Sequence, residues 1–191
     1  MSTLEPAHAS ASADDGAMEL GGPGEPLPAG RYTRTGFEPP ITFELDAGWT
    51  AEQTATGFFD VQRGAGTLDV IAVQFARVLD AASAAEAAAT IEGNPQLSVV
   101  SGPAPVSIGG FDGIQIVVDT ADPPDTQPVV FRQVLSVAAG PLSIASGRRL
   151  QVTLIETHGG LVGVLVGGSI RRWDAAIEAA APVLASVTIG E

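Results

Sequence analysis

The second half of the chain alternates apolar runs with turns rich in glycine and proline. In Leu150–Glu156 apolar and polar residues alternate, His158-Gly159-Gly160 follows, and Leu161–Val166 is apolar again. Alternation with a period of two predicts strands, and a short glycine-containing connection between two such runs predicts a hairpin. Gln151 and Thr153 are expected to face outward from this hairpin. The pattern favours an antiparallel sheet.

The composition agrees with a sheet protein joined by tight turns. The apolar fraction is 45% while aromatic residues make up only 5%, and there are 23 glycines and 14 prolines. Core volume must therefore come mainly from alanine and aliphatic side chains, and the β-branched ones among these favour strands. Gly and Pro are the residues that most often interrupt regular structure. A length of 191 residues fits one domain with a tail.

Other strands are predicted by the same criteria. Thr67–Val78 is apolar on both alternating faces, which predicts a central strand covered on both sides. The remaining predicted strands are Ile41–Leu45, Phe58–Gln62, Leu97–Val100, Val106–Ile108, Ile114–Asp119 and Val129–Val137, with Val187–Ile189 at an edge. The stretch between Val137 and Leu150 is predicted to be a loop.

Two helices complete the prediction. Ser83 and Glu86 form a capping-box pattern before an alanine-rich run of about ten residues that ends at Gly93-Asn94-Pro95. A second helix is expected to begin near Ser169, with Pro182 kinking or restarting it. The predicted fold class is α+β: a mostly antiparallel sheet meander with one short inserted helix and a C-terminal helix packed on it.

The N-terminal segment differs from the rest in composition. Residues 1–28 are rich in Ala, Ser, Gly, Pro and acids and contain almost no bulky apolar residue. Such a segment cannot offset its ordering entropy by burial, so we predict a disordered acidic arm over residues 1–28. Residues 29–191 are predicted to form a single α+β sandwich domain.

Charge and residue usage exclude several function classes. The chain has nine arginines, no lysine and 22 carboxylates, for a net charge of −13, so it repels phosphate backbones over most of its surface. We therefore predict no nucleic-acid partner, and Arg148–Arg149 and Arg171–Arg172 are interpreted as solvated or ion-paired. The absence of cysteine excludes disulfides, thiolate metal sites and cysteine nucleophiles. No run approaches the ~20 apolar residues of a membrane span.

Few residues are candidates for chemistry. His8 lies in the predicted arm and His158 in a turn, so neither a zinc site nor a Ser-His-Asp triad is supported. Asp119, Asp122 and Asp125 share one loop and have the oxygen ligands that Ca²⁺ takes, but not the spacing of an EF-hand loop. We interpret this loop as a solvated connector, and calcium binding remains the alternative.

The remaining motifs are structural. Gly159, Gly163 and Gly167 imitate a membrane-helix packing motif, but the valines between them favour a buried strand. No pair is singled out among the carboxylates outside the arm. We predict no catalytic residue, no cofactor and no metal ligand, and the sequence identifies no ligand-binding residue.

Trp49 is one of two tryptophans and follows an alternating strand and an Asp46-Ala47-Gly48 turn. Nothing polar and specific lies around it in sequence. We predict that it closes one end of the core, near Trp173 on the terminal helix. Its alternative role is that of a recognition residue.

Several short motifs in this order resemble a known fold family. They are Gly30-Arg31-Tyr32, Phe43 to Gly48-Trp49, the inserted helix, Gly109-Gly110-Phe111-Asp112-Gly113, and the terminal Ala181–Val187. Over about residues 30–189 the chain resembles small bacterial exported or lipoprotein domains of the Mog/PsbP-like (LpqN-like) α/β/α-sandwich type. This resemblance implies a non-enzymatic binding domain and transfers no active-site residue.

The predicted function follows from the resemblance and from the scarcity of catalytic motifs. We expect a non-catalytic, extracytoplasmic or cell-surface binding or scaffold domain, monomeric, with a protein or envelope component as partner and with the arm as a tether. The N-terminus shows no signal peptide, so the alternatives are a cytoplasmic protein or a chain that begins after a removed signal. Two other functions stay open: a carrier of a small apolar ligand between sheet and terminal helix, and a carboxylate-dependent hydrolase.

Overall fold

The computed structural model describes residues 16–190. The strands are β1 (Met18–Glu19), β2 (Pro26–Leu27), β3 (Gly30–Arg34), β4 (Ile41–Leu45), β5 (Trp49–Ala55), β6 (Phe58–Arg63), β7 (Ile71–Arg77), β8 (Leu97–Ile108), β9 (Phe111–Thr120), β10 (Phe131–Val137), β11 (Gly140–Ala145), β12 (Arg148–Thr157), β13 (Gly160–Ser169) and β14 (Thr188–Ile189). The helices are α1 (Ala84–Glu92) and α2 (Trp173–Ser186), and a short 3-10 turn, Ile170–Arg172, precedes α2.

An eight-stranded antiparallel sheet forms the central layer, in the order β2-β5-β6-β7-β13-β12-β9-β8. A smaller sheet, β1-β3-β4-β14, and the hairpin β10–β11 are separate from it. The predicted α+β class with mostly antiparallel strands is confirmed. β7 lies between β6 and β13, as predicted for a central strand, although it begins at Ile71 rather than Thr67.

One face of the central sheet packs against the smaller sheet and α2. Aromatic rings fill this interface: Phe59 stacks on Phe75 at 4.6 Å between centroids, and Phe43 of the smaller sheet stacks on Phe75 at 5.4 Å. Ala180 and Val183 of α2 are buried in the same cluster. The opposite face is covered by α1 and the hairpin β10–β11 over an almost entirely aliphatic core.

The predicted capping of α1 is confirmed in its main contact. Ser83 Oγ accepts a hydrogen bond from the Glu86 backbone N–H at 3.1 Å. The Glu86 carboxylate accepts from the backbone N–H of Ala82, one residue before the expected donor, at 2.8 Å. Both contacts satisfy backbone donors that a helix N-terminus leaves unpaired.

The terminal helix continues through Pro182 rather than restarting there, since α2 runs unbroken from Trp173 to Ser186. It lies close to the central sheet because the facing residues are small. A Cβ built on Gly168 of β13 would lie 2.6 Å from Cβ of Ala176.

We expect Gly168→Ala to lower the free energy of unfolding by about 1–3 kcal/mol, since an added methyl group must push α2 away from the sheet. Gly167→Ala is the matched control, because its Cβ would meet nothing nearer than Leu150 Cδ1 at 3.6 Å. Urea unfolding of both variants measures the difference. Equal stabilities would contradict the close packing of α2 on β13.

Two predicted connections are wrong. Gly102-Pro103 was expected to separate two short strands, but β8 is one edge strand of 12 residues with irregular pairing on either side of that dipeptide. An edge strand tolerates proline because its outward N–H has no partner to lose. The stretch predicted as a loop after Val137 contains β11, whose Leu142 and Ile144 are buried against the second face of the sheet.

The predicted orientation of two polar side chains in β12 is also wrong. Gln151 and Thr153 were expected to face outward, yet both are buried. β12 is an interior strand of a sheet with packed layers on both faces, so its polar residues lack the solvated side that a one-sided sheet would provide.

The packed part of the chain begins before residue 29, contrary to the predicted boundary of the arm. Leu20 and Leu27 are buried in the core between the central sheet and the smaller sheet. Gly24 and Glu25 hydrogen-bond to Ala51 of β5, and β2 pairs with the start of the same strand. Two isolated leucines among polar and small residues gave no periodic pattern, so the sequence did not reveal this docking. Residues 1–15, including His8, lie outside the described residues, and the tethering role stays a prediction.

Candidate functional site

Trp49 lies in the core and is 1% exposed. Its indole Nε1–H donates to Asp46 Oδ1 at 2.8 Å, and the Arg63 guanidinium lies 4.9 Å above the ring centroid. Arg63 also pairs with Asp46, and these hydrogen bonds hold the pKa of the Asp46 carboxyl below its usual value. The structure thus places Trp49 as a core residue at the start of β5.

The expected meeting of the two tryptophans does not occur among the described residues. Trp173 lies against Gly168 instead, and the guanidinium of Arg149 is 5.8 Å from its ring centroid. Trp173 was expected on the apolar stripe of the terminal helix, but sequence order gave no information about which end of the core each tryptophan would reach.

Each of the three aspartates considered for calcium binding pairs with a different arginine. Asp119 and Asp122 each accept two hydrogen bonds from one guanidinium, of Arg149 and Arg132 respectively, at 2.8–2.9 Å. Asp125 pairs with Arg171 at 3.0 Å. Within residues 16–190 no group of three acidic or histidine side chains is placed to hold a metal ion. The arrangement therefore gives the calcium alternative no support.

The glycines and the second histidine lie where the sequence predicted. His158 and Gly159 form the exposed turn between β12 and β13, and Gly163 and Gly167 lie within β13. No helix of the described residues has the length and apolar character needed to cross a membrane.

Four segments distant in sequence meet at one end of the central sheet, around the turn Ser146–Gly147. Ser146 N–H donates to Val130 O at 2.9 Å, Gly147 O accepts from Ile170 N–H at 3.1 Å, and Arg148 donates to Val70 O at 2.6 Å. We call this region the loop end. It consists of residues 67–70, 119–132, 145–149 and 169–174, and it contains an open cleft of about 400 Å³.

Charge at the loop end differs from that of the rest of the surface. The loop end holds Arg132, Arg148, Arg149, Arg171 and Arg172, together with Asp69, Asp119, Asp122, Asp125 and Asp174. The rest of the described chain has four arginines and 13 carboxylates. The loop end is therefore neutral on a protein that is otherwise strongly acidic.

Hydrogen bonding at the loop end fixes the partly buried arginines more firmly than the exposed ones. Hydrogen bonds from Arg132 lower the pKa of the Asp122 carboxyl, and Asp119 raises the pKa of Arg149. Burial lowers the pKa of Arg148, whose guanidinium donates to the backbone carbonyls of Leu68 and Val70. The ion pairs of Arg171 and Arg172 are exposed and hold these side chains only weakly.

Large apolar side chains project from the same region. Leu68 is 92% exposed, Phe131 is 68% exposed, and Val129 is also exposed. Leu68 lines the cleft, and Phe131 pairs with Ala145 beside the Ser146–Gly147 turn. Exposed apolar patches often mark interaction sites, and aromatic residues and arginine are enriched in protein–protein interfaces.

Within residues 16–190, the contact between α2 and the sheet is packed where a cleft for an apolar ligand was expected. Ala176, Ala180 and Val183 are buried where α2 meets the sheet. A cleft of about 240 Å³ lies instead between α1 and β10, with Leu135 and Val134 beside polar residues such as Asn94. This volume is below the roughly 300–1,000 Å³ typical of small-molecule sites.

The arginine pairs were predicted to be solvated or ion-paired, but the sequence did not show that they meet the aspartate loop. Asp119 and Arg149 are 30 residues apart, and Asp69 and Arg172 are 103 residues apart. Leu68 and Phe131 were both assigned to strands, so their exposure was not expected; Leu68 in fact precedes β7, and Phe131 is the first residue of β10.

No protein-family model and no curated protein sequence matches this chain. Among solved structures, the solution structure of cyanobacterial PsbP (CyanoP) from Synechocystis sp. PCC 6803 matches with a TM-score of 0.51 and 12% identity, covering 88% of this chain and 97% of that chain. The crystal structure of LpqN, involved in cell envelope biogenesis of Mycobacterium tuberculosis, matches with a TM-score of 0.47 and 11% identity, covering 87% and 90%.

These identities show likeness of fold alone. The chain has the PsbP-like fold, and the fold expected from the sequence resemblance is confirmed.

Proposed function

We propose that this protein is a non-catalytic binding or scaffold domain that acts outside the cytoplasm and docks a protein or another envelope component through the loop end. The observation that carries this proposal is the electrically neutral loop end, with its exposed Leu68, Val129 and Phe131, on an otherwise acidic surface. The extracytoplasmic location rests on the resemblance to exported domains of this fold.

Association through the loop end avoids the main electrostatic cost of approaching this protein. A partner meeting the acidic faces would need a strongly basic surface, whereas the loop end offers balanced charge. Arg171 and Arg172 are exposed and weakly held, so they are free to exchange their aspartates for carboxylates of a partner. Leu68 and Phe131 supply apolar area that docking would remove from water.

The hydrolase alternative has less support at this site. An acid catalyst working near neutral pH needs a raised pKa, and a nucleophile needs an adjacent base. At the loop end, Asp119, Asp122 and Asp125 are each paired with an arginine. Hydrogen bonds from Arg132 lower the pKa of Asp122, which is the opposite of what an acid catalyst needs.

Photo-crosslinking tests the docking surface. With p-benzoylphenylalanine replacing Phe131, incubation with the envelope fraction of the source organism is expected to give a discrete adduct. The same probe replacing Leu79, an exposed apolar residue outside the loop end, is the matched control and should give none. Adding Arg171→Glu and Arg172→Glu should reduce the Phe131 adduct by about tenfold or more, because reversed charges repel a complementary partner.

Equal adducts from positions 131 and 79, or an adduct at 131 unaffected by the charge reversals, would contradict the proposal. Circular dichroism confirms that each variant is folded. The discriminating result is the dependence on position and charge, and not the capture of a protein as such.

A further inference from the structure

Arg148 is the one arginine of the loop end that has no carboxylate partner among the described residues. Each of the other four loop-end arginines pairs with an aspartate. The Arg148 guanidinium donates instead to two backbone carbonyls, Leu68 O at 3.3 Å and Val70 O at 2.6 Å. A charge removed from water is ordinarily paired, so a partly buried arginine without a counter-ion needs an explanation.

The neutral total of the loop end contains two unpaired charges in different places. The four arginine–aspartate pairs leave Arg148 and Asp174 over. Arg148 lines the open cleft of the loop end, whereas Asp174 is exposed on the first turn of α2 and outside the cleft. The two aspartates that line the cleft, Asp69 and Asp125, are each paired with an exposed arginine. The cleft therefore has a surplus of one positive charge.

The cleft places apolar surface next to this charge. Its volume of about 400 Å³ falls within the roughly 300–1,000 Å³ typical of ligand sites. Three apolar residues line it with Arg148: Leu68, Pro124 and Ile170. The β9–β10 loop approaches closely here because position 147 is glycine, where an added Cβ would lie 2.8 Å from Pro124 O. A ligand in the cleft thus meets a cation and apolar side chains together.

We infer that this cleft receives the C-terminal carboxylate of a protein partner, with Arg148 as its counter-ion and the apolar lining against the side chain of the last residue. This inference rests on the proposed docking function and names the group of the partner that binds. A chain end has a carboxylate and a side chain on the same Cα, so it can occupy the charged and the apolar part of one small cleft. Capture of a C-terminal carboxylate is a recurring mode of peptide recognition.

The hydrogen bonds of Arg148 prepare its side chain for this role. A guanidinium has five N–H donors, and the two carbonyls leave three of them for a ligand. The carbonyl contacts also hold the side chain in one orientation. Binding then costs less side-chain entropy than it would for a mobile arginine.

The charge of the cleft favours a carboxylate over a phosphate group. A phosphate monoester carries about −1.5 to −2 charges at neutral pH, which exceeds the surplus of the cleft. The lining carboxylates of Asp69 and Asp125 would repel the excess. A carboxylate has a single negative charge and balances Arg148 without this repulsion.

Amide NMR titration of the full chain tests the inference with three peptides. They are N-acetyl-glycyl-alanyl-leucine with a free C-terminus, the C-terminal amide of the same peptide, and N-acetyl-glycyl-glutamyl-leucine amide, whose carboxylate is on a side chain. We expect saturable shifts of residues 68–70, 125, 146–149 and 169–171 with the free-acid peptide only. Equal shifts with the glutamate peptide would overturn the assignment to a chain end. Equal shifts with the first amide, or no shifts with any peptide, would overturn the role of a carboxylate.

The key variant is Arg148→Gln, which retains amide donors for the two carbonyls but removes the charge. It should weaken binding of the free-acid peptide by about tenfold or more, as when one member of a charge pair is lost. Arg31→Gln is the matched control, because Arg31 of β3 is also in no ion pair of the described residues but lies outside the loop end. Unchanged affinity in Arg148→Gln would contradict the inference. The comparison of free-acid and amide peptides uses the wild type and is independent of any folding defect in the variant.

The crosslinking assay at position 131 separates failure of this inference from failure of the proposed function. An adduct that depends on Arg171 and Arg172 but not on Arg148 would leave the docking surface in place and overturn the chain-end site. Binding of the free-acid peptide that depends on Arg148, without any adduct at position 131, would support the chain-end site and contradict the docking surface.

Discussion

Replacing Trp49 with alanine is expected to lower the free energy of unfolding by about 3–5 kcal/mol, the range for a large aromatic core residue changed to alanine. The indole is 1% exposed and packs in the core between the central sheet and the smaller sheet. Its removal leaves a cavity and also frees Asp46 from the indole N–H. Urea unfolding followed by far-UV circular dichroism measures the loss.

Two controls separate the core role of Trp49 from a recognition role. Trp49→Phe keeps most of the ring and should lose less stability than Trp49→Ala. Leu68→Ala changes a side chain that is 92% exposed and should stay within about 0.5 kcal/mol of the wild type. If Trp49→Ala lost less than about 1 kcal/mol and also lost partner binding, Trp49 would be a recognition residue instead.

Elements with a strong local pattern were predictable from the sequence. The capping residues Ser83 and Glu86 delimit α1, and Gly48 takes the positive φ expected of its turn, +97°. The Thr157–Gly160 pairing closes the predicted hairpin of β12 and β13. In each case a few adjacent residues decide the backbone conformation, and tertiary packing agrees with that local preference.

Elements whose stability comes from distant contacts were missed. The β5 strand reads Trp-Thr-Ala-Glu-Gln-Thr-Ala and has little apolar alternation after Trp49, since its pairing with β6 and the burial of Ala51 hold it in place. Leu20 and Leu27 likewise become core residues only because β3 and β5 offer them a surface. Propensity is a weak guide where tertiary contacts decide the outcome.

The loop end could not be derived from local pattern. The loop end depends on the topology that places the β9–β10 loop, the β11–β12 turn and the start of α2 side by side.

The second large effect is expected for Phe59→Ala, which should also lower the free energy of unfolding by about 3–5 kcal/mol. Phe59 is fully buried, stacks on Phe75 at 4.6 Å, and meets Phe37 edge-on at 5.4 Å. Five of the ten aromatic residues of the chain form this cluster: Tyr32, Phe37, Phe43, Phe59 and Phe75. The aromatic volume is therefore concentrated where the two sheets face each other.

The position of the cluster predicts how the destabilisation is distributed. No strand pairing joins the smaller sheet to the central one among the described residues, so side-chain packing at Phe43, Phe59 and Phe75 must hold them together. Phe59→Ala should therefore accelerate amide exchange in β3 and β4 more than in β12 and β13. A double-mutant cycle of Phe59→Leu with Phe75→Leu should give a coupling of about 0.5–1.5 kcal/mol, as for stacked aromatic pairs. Uniform acceleration across all strands, or strictly additive losses, would show that aliphatic packing by α2 and not the aromatic cluster joins the sheets.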